Sequence, residues 1–179
     1  MEKKDLDWGN IGFSYMPTDK RYVANYKDGA WDGGAMTSDP NVVINECAGI
    51  LQYCQEIFEG LKAYTTEDGS IVTFRPDLNA ERMMDSARRL EMPPFPKERF
   101  LEAVDQVVKA NAAWVPPFGS GATLYLRPYM FASGPVIGVK PSQEYQFRLF
   151  GTPVGPYFKG GAKPLTLCVS DFDRAAPNG

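Results

Sequence analysis

The chain has 179 residues, of which 44% are hydrophobic and 23% charged, and its formal net charge is −3. These values are those of a soluble globular protein of one domain, or one domain and part of another, with no electrostatic basis for binding nucleic acid or an anionic membrane. Histidine is absent, which excludes Ser-His-Asp and Cys-His catalytic systems and every His-ligated metal site.

The first regular elements predicted along the chain are strands and then helices. Residues 22–26 predict a strand, and residues 61–66 and 71–75 predict a hairpin around an Asp-Gly turn. Two helices follow, at residues 76–90 and 97–114, each with apolar side chains at helical spacing and a pair of prolines after it. The first begins with a proline, which the first helical turn tolerates.

The second half of the chain predicts strands at residues 122–131, 145–150 and 165–169. The fold class expected is α+β, a mainly antiparallel sheet with two helices packed on it. We interpret residues 1–150 as a small N-terminal domain and the glycine- and proline-rich residues 151–162 as an interdomain loop. Residues 163–179 are then the first strand of a truncated large domain.

The cysteines and the N-terminus indicate a cellular compartment. Cys47, Cys54 and Cys168 are an odd number without CxxC spacing, which argues against a disulfide framework or a zinc site. The N-terminal residues contain no secretory signal, and no apolar run approaches the roughly 20 residues that span a bilayer. We therefore expect a cytoplasmic protein with no membrane partner.

One predicted strand carries a possible anion receptor. Side chains alternate across a strand, so Leu124 and Leu126 share one face while Tyr125 and Arg127 share the other. A guanidinium beside a phenol can bind a carboxylate through directed hydrogen bonds. The alternative is an exposed face that simply requires polar residues.

Other candidate groups have weaker support. Arg75 and Arg82, near the start of the first long helix, could bind a phosphate, or could belong to a solvated face of ion pairs. Glu56 and Glu59 lie three residues apart on a presumed helical turn and could be paired acids. No lysine lies in an apolar, glycine-flanked context of the kind that activates a Schiff-base lysine, so we expect none to be catalytic.

Four segments together resemble one enzyme family. Residues 53–64 are similar to its Y-x-x-x-x-F-E-G-x-K-A-[YF] motif, residues 74–82 to F-R-P-x-x-N-x-x-R, and residues 124–128 to L-Y-[VIL]-R-P. Residues 153–158, with the glycines after them, resemble its interdomain loop. The family is the branched-chain amino-acid aminotransferases, homodimeric pyridoxal-phosphate enzymes of fold type IV.

The resemblance implies an activity and a role for each matching residue. It implies amino-group transfer between leucine, isoleucine or valine and 2-oxoglutarate, as in amino-acid biosynthesis. Arg82 binds the phosphate of pyridoxal 5'-phosphate, and Arg127 binds the distal carboxylate of 2-oxoglutarate or glutamate. Tyr157 closes over the substrate, while Ile137 and Val139 reach into the partner subunit's pocket. The residues implied to shape the pocket for the substrate side chain are Phe13, Tyr53, Phe58 and Tyr125.

The chain departs from the family in one respect. The aldimine lysine is expected just beyond Gly179, so no catalytic residue is assigned in this chain, and by itself it is expected to be inactive and to bind the cofactor weakly or not at all. Two alternatives stay open. The parent is a relative such as a D-amino-acid aminotransferase or an aminodeoxychorismate lyase, or the chain is a non-catalytic interaction or dimerisation domain.

Overall fold

The computed structural model describes residues 2–156 and 164–171, and its described part contains one eight-stranded antiparallel sheet. The strand order is β2-β1-β8-β7-β5-β6, with β3 paired to β1 and β4 paired to β7. The strands are β1 (Arg21–Lys27), β2 (Ala30–Trp31), β3 (Ala35–Thr37), β4 (Glu56–Phe58), β5 (Leu61–Thr65), β6 (Ile71–Thr73), β7 (Thr123–Ala132) and β8 (Tyr145–Val154). The predicted α+β class is confirmed.

The two longest strands, β7 and β8, form the centre of the sheet through an unbroken ten-residue register, from Thr123 opposite Val154 to Ala132 opposite Tyr145. A strand is predicted for residues 145–150 and a loop from residue 151, but the strand continues to Val154. The extension arises because residues 151–154 pair with residues 123–126 at the start of β7. Local sequence, rich in glycine and proline, does not reveal such a partner.

In the described residues three α-helices accompany the sheet: α1 (Gly49–Tyr53), α2 (Pro76–Arg89) and α3 (Lys97–Ala110). The prediction for α2 is confirmed to within one residue. α3 ends before the predicted residue 114, since a separate 3-10 turn occupies Ala112–Trp114. The side chain of the fully buried Asn111 donates to Val107 O and to Lys20 O at 2.8 Å each, which ends the helix and ties it to the chain before β1.

The core lies between α2 and α3 and one face of the sheet. Apolar side chains at alternate positions of β7, including Leu124 and Leu126, are fully buried there. On β8, the ring of Phe147 stacks on Phe95 at 3.9 Å between centroids and also contacts Phe100 of α3. The apolar side chains at helical spacing on α3 therefore pack against those at every second position of the strands, and together they form one layer. No helix in the described ranges is long and apolar enough to cross a membrane.

Two local predictions are wrong. Glu56 belongs to β4 and Glu59 follows it, so these residues do not lie on a helical turn. Residues 164–170 have no regular secondary structure, although a strand is predicted at 165–169. Leu165, Leu167 and Val169 are exposed. None of the described strands pairs with this segment, so its backbone has no neighbouring strand to form hydrogen bonds with. The division into a loop at 151–162 and a second domain from 163 stays a prediction.

Candidate functional site

The face of the sheet opposite the helices carries the polar residues that the sequence singled out. Tyr125 and Arg127 of β7 lie on this face and are partly buried, whereas Leu124 and Leu126 are buried on the other. Across the ladder, Arg127 lies opposite Phe150 of β8. The side-chain alternation predicted for this strand is therefore present.

Arg127 is held by two aromatic side chains. Its Nε donates to the Oη of Tyr125 at 3.1 Å, and its guanidinium carbon lies 4.4 Å from the ring centroid of Phe58. Phe58 is on β4, opposite Tyr129 of β7, and thus diagonal to Arg127. The bond at Nε and the contact with the ring fix the guanidinium plane. Within the described residues its two Nη groups make no hydrogen bond and are available to a carboxylate.

The position of Tyr125 depends on Gly60. A Cβ added to Gly60 would clash with the Tyr125 hydroxyl and lie 3.1 Å from its Cζ, tighter than ordinary side-chain contacts. Any larger residue at position 60 must therefore displace the phenol that holds Arg127. The glycine between β4 and β5 is required by this close approach rather than by a turn.

A second cationic group, Arg82, lies on α2. Its Nε and Nη2 donate to the two carboxylate oxygens of Glu59, at 3.1 and 2.9 Å. Asn79, one helical turn earlier, donates to the same carboxylate at 2.7 Å and to Gly60 O at 3.1 Å. The Glu59 side chain is only 10% exposed, whereas that of Arg82 is 60% exposed. The buried carboxylate thus orients an accessible guanidinium whose Nη1 makes no bond to another described residue.

The N-terminal segment brings Phe13 towards Tyr125. Gly12 O accepts a hydrogen bond from Gly155 N at 3.0 Å, and Met16 N donates to the Oγ1 of Thr152 at 2.9 Å. Thr152 lies opposite Tyr125 in the β7–β8 ladder. The residues on both sides of Phe13 are hydrogen-bonded to this end of β8. The exposed Phe13 is therefore held beside the same end of the sheet.

Tyr53 belongs to a different group. Its hydroxyl donates to the carbonyl of Ile137, in the loop between β7 and β8. The loop is also bound to the start of α1, through Gly49 N to Gly134 O at 3.2 Å. In this loop Ile137 and Val139 are 73% and 88% exposed. Five strand residues separate Arg127 from the Ala132 end of β7, roughly 17 Å. Within one chain the structure therefore places Tyr53 with Ile137 and not with Arg127.

One predicted site residue, Tyr157, lies outside the described residues. Sequence reasoning missed three residues that the structure places in the site: Glu59 as the partner of Arg82, Asn79, and the close contact at Gly60. The spacing of Asn79 and Arg82 was an available signal, because residues three apart lie on one face of a helix. Among residues 2–156 and 164–171, no group of three or more acidic or cysteine side chains is arranged to hold a metal ion.

Comparison with curated proteins gives strong similarity to one group of enzymes. The chain is 54% identical over 176 residues to the branched-chain-amino-acid aminotransferase of Haemophilus influenzae, which covers 98% of this chain and 51% of the relative. It is 47% identical to the enzyme of the same name from Helicobacter pylori, over 98% of this chain and 52% of the relative. The chain therefore spans about half the length of the curated relatives it matches. No family model matches the sequence.

Solved structures show the same fold. A crystal structure of the Escherichia coli branched-chain amino acid aminotransferase matches with a TM-score of 0.67 at 24% identity, covering 90% of this chain and 49% of that one. The branched-chain aminotransferase of Thermoproteus uzoniensis, crystallised with norvaline, matches with a TM-score of 0.63 over 79% of this chain and 43% of that one. At this identity the likeness concerns the fold.

Proposed function

Because this chain is related to branched-chain aminotransferases over 98% of its length, we propose that the protein of which it forms about half transfers amino groups. The donors are leucine, isoleucine and valine, and the acceptor is 2-oxoglutarate. The described residues supply part of the substrate pocket and one contact to the cofactor. Support comes from the 54% identity to a named aminotransferase and from the arrangement around Arg127.

The observation that carries this proposal is the Arg127 guanidinium between Tyr125 and Phe58. The enzyme must accept both an apolar side chain and one ending in a carboxylate in a single pocket. An aromatic wall tolerates leucine-like groups, while the free Nη edge of the arginine favours glutamate and 2-oxoglutarate. Tyr125 keeps the arginine at the wall by its hydrogen bond, so the guanidinium does not need to move between the two half-reactions.

Arg82 is the residue that fits a cofactor phosphate. Its guanidinium is exposed, is oriented by Glu59, and keeps Nη1 open. Pyridoxal 5'-phosphate, the cofactor of this reaction, supplies the electron sink for amino-group transfer. The part played by this chain is to bind the phosphate through Arg82 and to present the substrate side chain to Phe58 and Tyr125. The bidentate pair with Glu59 lowers the entropy lost when Arg82 binds the phosphate.

The loop that carries Ile137 and Val139 serves the partner subunit of a homodimer. Both side chains are largely exposed, and Tyr53 is bonded to the backbone of the same loop. We therefore assign Tyr53, Ile137 and Val139 together to the pocket of the second subunit, with Phe13, Phe58, Tyr125 and Arg127 in the pocket of the first. Tyr157 is assigned to the loop that closes over the substrate.

The test is a donor screen with the complete protein and added pyridoxal phosphate, in which glutamate formed from 2-oxoglutarate is measured. L-leucine, L-isoleucine and L-valine are expected to be the preferred donors. D-alanine serves as the control donor, because a D-amino-acid aminotransferase uses it. Preference for D-alanine, or no glutamate with any of the three L-amino acids, would overturn the proposal.

A further inference from the structure

A cavity separate from the Arg127 cluster lies on the same open face, above β1 and β8. Its volume is about 460 Å³. Aromatic and apolar groups form most of its wall, and two arginines complete it. The lining includes Tyr15, Arg21, Asn41, Tyr129, Arg148 and Phe150.

Arg21, the first of the two arginines, is 3% exposed. Its Nη1 donates to Ser38 O and its Nη2 to Thr18 O, each at 2.8 Å. Both acceptors are neutral carbonyls. Its Nε is buried and has no hydrogen-bond partner in the part of the chain that the structure describes. A buried charged donor without a partner has lost its hydration and gained no hydrogen bond in return, so an added acceptor would stabilise this N–H.

Arg148 is 8% exposed, and its hydrogen-bond partners within residues 2–156 and 164–171 are also neutral. Its Nη1 donates to the Oε1 of Gln146, and its Nη2 to Asn41 O, both at 3.1 Å. Arg148 lies opposite Val23, two residues from Arg21 on the same face of β1. The two arginines are therefore diagonal neighbours across the β1–β8 pair.

Two positive charges are thus buried close together without an ion pair to any described residue. The nearby acid is Asp39, whose carboxylate is exposed and accepts hydrogen bonds from the backbone and side-chain nitrogens of Asn41, at 2.9 and 2.8 Å. It lies within electrostatic range of both arginines but forms no salt bridge with either. Buried charges usually require a partner of opposite sign, so an anion in the cavity would stabilise this arrangement.

The cavity is distinct from the Arg127 site. Tyr129 lies opposite Arg148, and Arg127 lies opposite Phe150, and one further pair of the β7–β8 ladder, Pro128 with Leu149, lies between them. The rings of Tyr129 and Phe150 contact each other at 6.0 Å between centroids. The four side chains form a rectangle on one face of the sheet, with Arg127 and Arg148 at opposite corners. The contact between Tyr129 and Phe150 runs along the other diagonal and passes between the two arginines. The aromatic pair therefore separates the two cationic groups.

We propose that the cavity between Arg21 and Arg148 binds a small organic acid, with its carboxylate on the two guanidinium groups and a compact apolar body against Tyr15 and Phe150. The rings of Tyr15 and Phe150 meet edge to face at 5.8 Å and give the wall an apolar surface. An inorganic oxyanion would satisfy the arginines but leave this wall without a contact.

The experiment uses sodium benzoate as the probe and isothermal titration calorimetry on the complete protein. Benzamide, which has the same ring without the charge, and inorganic phosphate are the matched ligands. Benzoate is expected to bind, and Arg148→Gln is expected to weaken it roughly tenfold to a hundredfold, through loss of charge-assisted hydrogen bonds. Arg127→Gln is expected to leave benzoate affinity at this site unchanged. Because the titration requires no turnover, an inactive enzyme can still bind benzoate, so this result is independent of the donor screen.

Three outcomes overturn the proposal: benzamide or phosphate binding as tightly as benzoate, loss of binding in Arg127→Gln but not in Arg148→Gln, or no binding of benzoate. If Arg148→Gln fails to fold, as judged by its circular dichroism spectrum, Tyr15→Val decides. Tyr15 is 56% exposed, so its substitution does not disturb the core. It is expected to weaken benzoate roughly threefold to tenfold, and an unchanged affinity contradicts the assignment.

Discussion

The carboxylate of Glu59 binds Arg82 through both of its oxygens, at 2.9 and 3.1 Å, although 23 residues separate the two in sequence. The pair joins the β4–β5 connection to α2, with Asn79 as a third member. It connects the two halves of the proposed site, because Gly60, next to Glu59, is in contact with Tyr125. The position of the Arg82 guanidinium is therefore set by this cluster rather than by the helix alone.

Substitution of Glu59 by glutamine is expected to lower the free energy of unfolding by about 1–2 kcal/mol. The loss is moderate because the Glu59 carboxylate is nearly buried whereas its partner, the Arg82 guanidinium, is exposed to solvent. The affinity for pyridoxal phosphate should fall as well, because Arg82 loses its orientation. Thermal unfolding and cofactor titration measure the two effects. The matched control is Asp85→Asn, which breaks the exposed Asp85–Arg88 pair on the same helix. Equal effects of both substitutions would contradict the role given to Glu59.

Substitution of Arg127 by glutamine is expected to reduce kcat/KM for 2-oxoglutarate roughly tenfold to a hundredfold, while the half-reaction with leucine changes little. The reason is that the guanidinium is expected to contact the distal carboxylate of 2-oxoglutarate and not the apolar side chain of leucine. Arg127→Lys keeps the positive charge but not the planar guanidinium above Phe58, so it should recover only part of the lost activity. Single-turnover measurements of each half-reaction separate the effects, and an equal loss with leucine would show that Arg127 is not a selectivity residue.

Substitution of Gly60 by alanine is expected to displace Tyr125 and break its hydrogen bond to Arg127 Nε. The added methyl clashes with the phenol, and overpacking of this kind costs about 1–3 kcal/mol. A lower melting temperature and a higher KM for 2-oxoglutarate should appear together. Gly33→Ala is the control, because its Cβ meets no atom within 4 Å and its φ is outside the left-handed region. A Gly60→Ala protein with unchanged melting temperature and KM would disprove the close contact.

Substitution of Phe147 by alanine is expected to destabilise the fold by about 3–5 kcal/mol. Phe147 is fully buried and contacts Phe95, Phe100 and Tyr22, so no single neighbour can fill the resulting cavity. Chemical denaturation measures the loss. The exposed Phe118, replaced by alanine, should change stability by less than about 0.5 kcal/mol. A loss of under about 1 kcal/mol for Phe147→Ala would contradict the packing described for the helix-covered face.

Asp32 is expected to make the fold sensitive to acid. Partial burial raises the pKa of its carboxyl group, but hydrogen bonds from Asn25 and from Gly34 N outweigh this and hold the pKa below its usual value. A group with a lower pKa in the folded state adds stability above its unfolded pKa of about 3.9, and this stability is lost as the pH falls through the folded pKa.

Asp32→Asn should therefore reduce the dependence of unfolding free energy on pH below about pH 4. Replacement of the exposed Glu67 by glutamine is the control for the removal of one carboxylate elsewhere on the surface. Denaturant titrations at a series of pH values measure the slope. An unchanged slope in Asp32→Asn would show that these hydrogen bonds do not form in solution.

The sequence by itself determined the regular elements whose pattern is local. Helical spacing and proline placed α2 to within one residue, and the Asp-Gly pair placed the β5–β6 hairpin. Alternation on β7 assigned Tyr125 and Arg127 to one face before any partner strand was known. The ordered motifs indicated the enzyme family, because several modest matches in fixed order are specific together.

Only the tertiary structure decided which distant residues meet. The pairing of β4 with β7 turned a presumed helical turn into a strand, and it brought Phe58 under Arg127. The ladder of β1 with β8 brought Arg21 beside Arg148, 127 positions later in the chain, and neither forms an ion pair with an acidic residue that the structure describes. Periodicity reports which face a side chain occupies, but the register between strands sets its neighbours. Register depends on the packing of the whole sheet, which no local pattern contains.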